Sequence, residues 1–413
     1  MFETLYPQEQ HAAQRDRYAR IAALFDHHFP GGGSVFFSVP GRTEIGGNHT
    51  DHNQGRVLAA SINLDAIAVA APSGDMQVTL YSEGYQEPSL VGLEDLRVLE
   101  EEKGTTAALI RGIAARFKAL GYRIEGFNAC VTSDVLTGSG LSSSAAIEVL
   151  IGAIFNRLFN QNALPATQIA EIGQFAENVY FGKPCGLMDQ TACAVGGIIT
   201  IDFADPEAAE IRKVHFDFAA QDYRLLVVNT GGNHADLTPD YAAVPAEMKA
   251  VARELGQPHL RKVTLESFLP QIPALREKTG DRAVLRALHF LEENERVVSQ
   301  VAALESGHFP EFLRLVSASG KSSFQWLQNI YTPQNIREQG VTLALALSDL
   351  YISRLGEGAC RVHGGGFAGT IQAFLPTRAV PAYVGLMEPV FGKGAVNVLH
   401  IRDQGIVCGT GEV

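Results

Sequence analysis

Mixed strands and helices in two domains are what this sequence predicts, on three observations. Its 413 residues, 46% apolar and 19% charged, have an ordinary globular composition and enough length for two cores. Alternating runs at 56–71 and 77–82 make that part strand-dominated, whereas 246–355 reads as mostly helical. Glycine-rich turns interrupt the runs at Gly46-Gly47, Gly138-x-Gly140 and Gly364-Gly365-Gly366. The boundary is expected near residue 205, giving domains 1–205 and 206–413.

Taken in order, residues 11–29 carry Ala13, Tyr18, Ile21, Ala22 and Phe25 at helical spacing and end at Pro30 and three glycines. A strand is expected at 34–39, followed by a polar, glycine-rich loop over 40–53. Residues 56–71 and 77–82 alternate as strands, 105–120 reads as a helix, and a strand at 126–133 feeds the glycine turn at 138–140. Helices follow at 145–159 and 166–181, then a loop over 182–190 fixed by glycine and proline. Strands are expected at 198–202 and 223–229, with a polar segment at 231–241 between the last of these and the helical region. That region breaks at Pro270, Pro273, Pro310 and Pro333. A strand, a glycine turn and a strand then occupy 359–375.

The formal net charge of −12 argues against a general nucleic-acid surface, which needs a basic face. Residues 1–25 carry charges throughout, so neither a signal peptide nor a membrane span is expected, and the expected location is cytoplasmic. Five widely spaced cysteines without a CxxC pair suit free thiols in a reducing compartment and argue against structural zinc.

Gly138-Ser139-Gly140-Leu141-Ser142-Ser143-Ser144-Ala145-Ala146 is the stretch with the most specific chemistry. Glycines let the backbone turn and present its N–H groups at a helix start, where amides and dipole favour phosphate. A serine hydroxyl there can reach a magnesium ion riding on that phosphate. The same residues also suit an ordinary capped helix. No Gly-Lys-Ser or Gly-Lys-Thr follows, and the third glycine of a dinucleotide fingerprint is missing, so neither of those loops is present.

Three loops in order, Pro40-Gly41-Arg42…His49-Thr50-Asp51, the 138–146 stretch and Gly364-Gly365-Gly366-Phe367, resemble those of the galactokinase, homoserine kinase, mevalonate kinase and phosphomevalonate kinase superfamily. Asn53-Gln54-Gly55, Pro184-Cys185-Gly186-Leu187-Met188-Asp189-Gln190 and His289…Glu293-Asn294-Glu295-Arg296 narrow the resemblance to galactokinases. It runs from about Val35 to Leu375. It implies an α+β fold of two lobes, an N-terminal ribosomal-protein-S5-like lobe and a C-terminal ferredoxin-like lobe, with the active site between them. It also implies transfer of the γ-phosphoryl group of MgATP to the anomeric hydroxyl of a hexose.

By the same resemblance, Arg42 and Asp189 are the expected catalytic pair. The amides of Gly138, Ser139, Gly140, Leu141, Ser142, Ser143 and Ser144 are expected on ATP, with Ser144 and Glu177 on magnesium. Asn48, His49, Asp51, Gly186 and Tyr241 are expected on the sugar. The chain departs from the family loop Arg-x-Asn-(Leu, Ile or Val)-Ile-Gly-Glu-His-x-Asp-Tyr, because Glu44, Gly46, Asn48 and His52 replace its Asn, Ile, Glu and Tyr. The exact sugar is therefore open between galactose and a relative such as galacturonate or an N-acetylhexosamine. A non-catalytic sensor of sugar and ATP is the alternative of another class. The expected partners are small molecules only, with no nucleic acid or membrane, and the expected state is a monomer or weak oligomer.

Overall fold

The computed structural model describes residues 2–31, 33–135, 140–205, 208–232 and 237–409. Among these described residues, two sheets organise the fold. The first has eight strands: β1 (Val35–Gly46), β2 (Arg56–Pro72), β3 (Gln77–Ser82), β4 (Ser89–Gly92), β5 (Phe127–Ser133), β6 (Ile198–Asp202), β7 (Glu210–Val214) and β12 (Val407–Gly409). Its order is β12-β1-β2-β5-β3-β4, with β6 paired to the first half of β2 and β7 to β6. The second has four strands, β8 (Tyr223–Asn229), β9 (Ala359–His363), β10 (Thr370–Pro376) and β11 (Val396–Leu399), in the order β11-β8-β10-β9. The first sheet thus takes strands from both sides of residue 205.

Period-two side-chain alternation decides what each face holds. On β2, Ala66, Ala68 and Ala70 face the main core, where helices α2 (Thr106–Ala119), α3 (Ser143–Asn160) and α4 (Ala166–Ala176) pack. Ile67, Val69 and Ala71 face the opposite way and meet Tyr18, Ile21 and Phe25 of helix α1 (His11–His28). On β8, Leu225 and Val227 join the main core through Phe309 and Phe312 of a helix spanning Phe309–Ser322, while Leu226 and Val228 face a separate cluster. The α+β expectation holds, with both sheets covered by helices.

One buried polar cluster ties distant parts of the chain. Asp65, with no exposed surface, accepts from Arg17 at 2.6 Å, Arg402 at 2.9 Å and the hydroxyls of Tyr6 and Ser38 at 2.5 Å each. Two guanidiniums hold the Asp65 carboxyl below the usual range although burial works to raise it.

Two elements differ from the sequence reading. β1 does not stop at Val39 but continues through Gly46, and every residue in it is buried. Its polar side chains find partners on β9 and β10: Thr43 Oγ1 meets His363 Nε2 at 3.0 Å and accepts from Gln372 at 2.7 Å. Glu44 takes Arg361 at 2.6 Å. Polar content alone made this stretch look like a loop, and buried polar groups are tolerated here because they are paired. The helix expected over 166–181 is α-helical to Ala176 and then widens into a π-turn, Glu177–Phe181.

Candidate active site

Register shifts in the β1–β2 pairing fall between Pro40 and Arg42 and between Glu44 and Gly46, and such irregularities re-aim side chains. Between them Arg42 leaves the strand, buried, toward helix α5 (Met188–Val195). Its Nε and Nη2 each donate to Asp189 at 2.8 Å, a two-pronged pair of the strong, orienting kind. Nη1 donates to the Gly140 carbonyl, and the Arg42 amide donates to the Leu141 carbonyl at 3.1 Å. Gly41 permits this approach, since a Cβ there would lie 2.9 Å from that same Leu141 oxygen. The arginine thereby joins the helix that carries Asp189 to the glycine turn.

Asp189 sits in the first turn of α5 and keeps 32% of its side chain exposed. It also accepts from Ser142 Oγ. Burial works to raise its pKa, but the Arg42 charge, the bonds from Arg42 and Ser142 and the charge of Lys183 hold it below the usual carboxylate range. Asp189 is therefore ionised at neutral pH.

Ser142 precedes α3 in the left-handed region, at φ 61° and ψ 57°, and makes no side-chain cap to the helix. Its hydroxyl goes to Asp189 instead, so that among the described residues the N-terminus of this 18-residue helix has no side-chain cap. Gly140, at φ 70°, lies under this turn, where a Cβ would stand 2.7 Å from Thr370 Oγ1. Ser143 opens the helix and Ser144 follows. Gly138 and Ser139 lie outside the described residues.

Ser144 Oγ donates to Glu177 Oε1 at 3.3 Å, and Lys183 Nζ reaches the same oxygen at 3.2 Å. Glu177 is buried in the π-turn while Lys183 is 63% exposed. The Ser144 hydroxyl and the Glu177 carboxylate, neighbours at the start of α3, are hard-oxygen donors of the kind magnesium takes. The sequence pattern had not assigned Lys183 a role, because a lysine beside Pro184 reads as solvated surface.

Asp51 stands on a short 3₁₀ turn, Asp51–Asn53, with 14% of its side chain exposed. A Cβ at Gly186 would collide with its carboxylate, so glycine alone allows this approach of the two loops. His49, at φ 59°, donates from Nε2 to the Gly365 carbonyl at 2.9 Å, which leaves Nδ1 as its acceptor nitrogen. Burial lowers its pKa to about 4, so the ring is neutral at pH 7. Tyr241 donates to the Gly366 carbonyl at 2.8 Å and stands edge-on to Phe367.

Asn48 is the expected sugar residue that the structure turns inward. It has no exposed surface, and its amide donates to Glu44 at 3.0 Å and to the Gly364 carbonyl at 2.7 Å. Its oxygen accepts from Asn329 at 2.8 Å and Ser323 at 3.4 Å. All of its hydrogen-bonding capacity is internal, so here it braces the loop and offers no group to a ligand. Glu44 and Asn48, two of the departures from the family loop, are partners in one hydrogen bond. The motif around His289 is a second brace: His289 donates to the Asn48 carbonyl at 2.9 Å, and Glu293 accepts from the Gly47 amide at 3.1 Å.

Two sheets meeting over a glycine turn, with an arginine–aspartate pair beside a helix start, define a kinase of the GHMP type. Residues 108–197 match the GHMP kinases N terminal domain. Residues 23–72 match the galactokinase galactose-binding signature. A galactokinase of Streptomyces coelicolor is 32% identical over 371 residues, 88% of this chain and 90% of that one. The crystal structure of Lactococcus lactis galactokinase complexed with galactose aligns with a TM-score of 0.81 at 25% identity, covering 95% of this chain and 99% of that one. Methanococcus jannaschii mevalonate kinase, at 14% identity, aligns over 90% of this chain and 99% of its own with a TM-score of 0.63, a likeness of fold. The chain belongs to the galactokinase family.

Proposed function

We propose that this protein transfers the γ-phosphoryl group of ATP to the anomeric hydroxyl of galactose, giving galactose 1-phosphate and ADP. The observation that carries the reading is the two-pronged Arg42–Asp189 pair set against the start of α3. Phosphoryl transfer asks for positioning and charge neutralisation more than for covalent chemistry, and this arrangement supplies both. His49, Asp51, the Gly186 backbone and Tyr241 line the sugar side.

Asp189, ionised, accepts the hydrogen bond of the anomeric hydroxyl and aims its oxygen at the γ-phosphorus. As the new O–P bond forms and the bond to the β-phosphate oxygen breaks, the hydroxyl proton passes to the Asp189 carboxylate. Its low pKa makes it a weak base, so the transfer belongs late, after the oxygen has become acidic through bonding to phosphorus. Arg42 and the first-turn amides of α3 face the equatorial oxygens, where charge accumulates. Ser144 and Glu177 would hold magnesium, which would neutralise phosphate charge when bound.

ADP release over a panel of sugars tests the proposal. Turnover should depend on galactose at millimolar concentration, and its absence there would overturn the reading. Galacturonate and N-acetylhexosamines in the same panel establish which C6 and C2 groups are accepted, since polar groups matched to hydroxyls discriminate strongly.

A further inference from the structure

Two neighbouring residues leave the first turn of α5 in different directions. Asp189 goes to Arg42, whereas Gln190 goes to a pair of carboxylates. Gln190 has no exposed surface, and its one amide nitrogen donates to Glu148 Oε2 at 2.8 Å and to Glu177 Oε2 at 2.9 Å, with Cys185 Sγ 3.6 Å away. Glu148, likewise without exposed surface, lies on α3 one turn beyond Ser144. Gly173 on α4 lets the three helices close on this point, since a Cβ there would stand 3.2 Å from Glu148 Cβ and 3.4 Å from Gln190 Cγ.

Nothing in the transfer step described above needs Gln190, yet its position is specific. Glu177 has two oxygens facing two ways: Oε1 meets Ser144 and Lys183, and Oε2 meets Gln190. A carboxylate held by one edge has its other edge aimed.

The geometry points to Gln190 as a positioning residue that holds Glu177 by Oε2, aims Oε1 at the metal–phosphate site, and ties that aim to Asp189 through one helical turn. A metal ligand oriented by a hydrogen-bonded neighbour loses affinity when the neighbour is removed. The inference rests on the reading of Glu177 as the metal-holding carboxylate.

The test is Mn2+ binding in the presence of ADP and the absence of sugar, followed by the electron-spin resonance of free Mn2+, with galactose binding measured separately by calorimetry. Gln190→Met, which keeps the side-chain length without the amide, should weaken Mn2+–ADP binding about tenfold and leave galactose affinity within twofold. Turnover by the same variant should need more magnesium but recover most of its kcat at saturating metal. Unchanged Mn2+–ADP affinity in Gln190→Met, with Glu177→Ala weakened, overturns the role of Gln190 and spares that of Glu177. Unchanged affinity in Glu177→Ala overturns the metal reading and the inference with it. Equal loss of galactose and Mn2+–ADP binding in Gln190→Met marks a general packing role and overturns the inference as well. Gln190→Asn, too short to span both carboxylates, carries the same measurements if the methionine variant does not fold.

Discussion

Exchanging Glu44 and Asn48 tests whether one buried negative charge, rather than either residue, is what the sugar loop requires. Both are buried, and they share a hydrogen bond of 3.0 Å with Arg361 on the same carboxylate. Asn48→Glu alone puts two carboxylates at that separation, where unit charges repel by roughly 5 kcal/mol at an effective dielectric of 20. Protonating one of them at pH 7 limits the penalty to about 4 kcal/mol. The limit is lower in practice, because burial already raises the Glu44 pKa against the pull of Arg361. A penalty below about 4 kcal/mol is expected. Glu44→Asn alone strands the fully buried Arg361 guanidinium, at about 3–5 kcal/mol. Together the two substitutions restore one carboxylate beside one guanidinium, so the double variant should lie at least 2 kcal/mol above the sum of the singles, as residues in one network do. Urea denaturation followed by Trp326, the chain's one tryptophan and a near neighbour in sequence of Ser323 and Asn329, reads all four proteins. A double variant within about 0.5 kcal/mol of additivity would refute the argument.

Asp189→Asn and Arg42→Ala should each lower kcat by about 10²–10⁴ while the protein stays folded, and near-normal rates in either would sink the assigned roles. His49, with its folded pKa lowered to about 4, favours the fold above its unfolded value near 6.5, and that contribution is lost as pH falls from there through about 4. Its imidazole resonance should titrate near 4, and a midpoint near 6.5 would contradict the burial described. Gly186→Ala forces a methyl onto the Asp51 carboxylate, so galactose KM should rise about tenfold with ATP KM unchanged. Equal rises in both would place the effect elsewhere.

Much of the candidate site was legible because its chemistry needs unusual backbone. Gly41, Gly140 and Gly186 each stand where a Cβ would meet another chain segment, and such glycines cluster into readable motifs. The course of β1 was not legible. Thr43 and Glu44 look like loop residues until His363, Arg361 and Gln372 arrive from more than 300 residues away. The inward turn of Asn48 was not legible for the same reason, its partners Asn329 and Gly364 being distant in sequence. Glu148 gave no signal, since a glutamate in a helix ordinarily faces water, and only the packing around Gly173 reveals that this one does not.

The cluster around Asp65 has a consequence for synthesis. Arg402 and strand β12 complete the first sheet, although every other strand of that sheet is made by residue 214. Until residue 402 has been made, Asp65 lacks its second guanidinium, and until 407–409 follow, the outer edge of β1 lacks its partner β12. The first lobe therefore reaches its final form only when the last strand threads back to it, so the fold closes as a loop and not lobe by lobe.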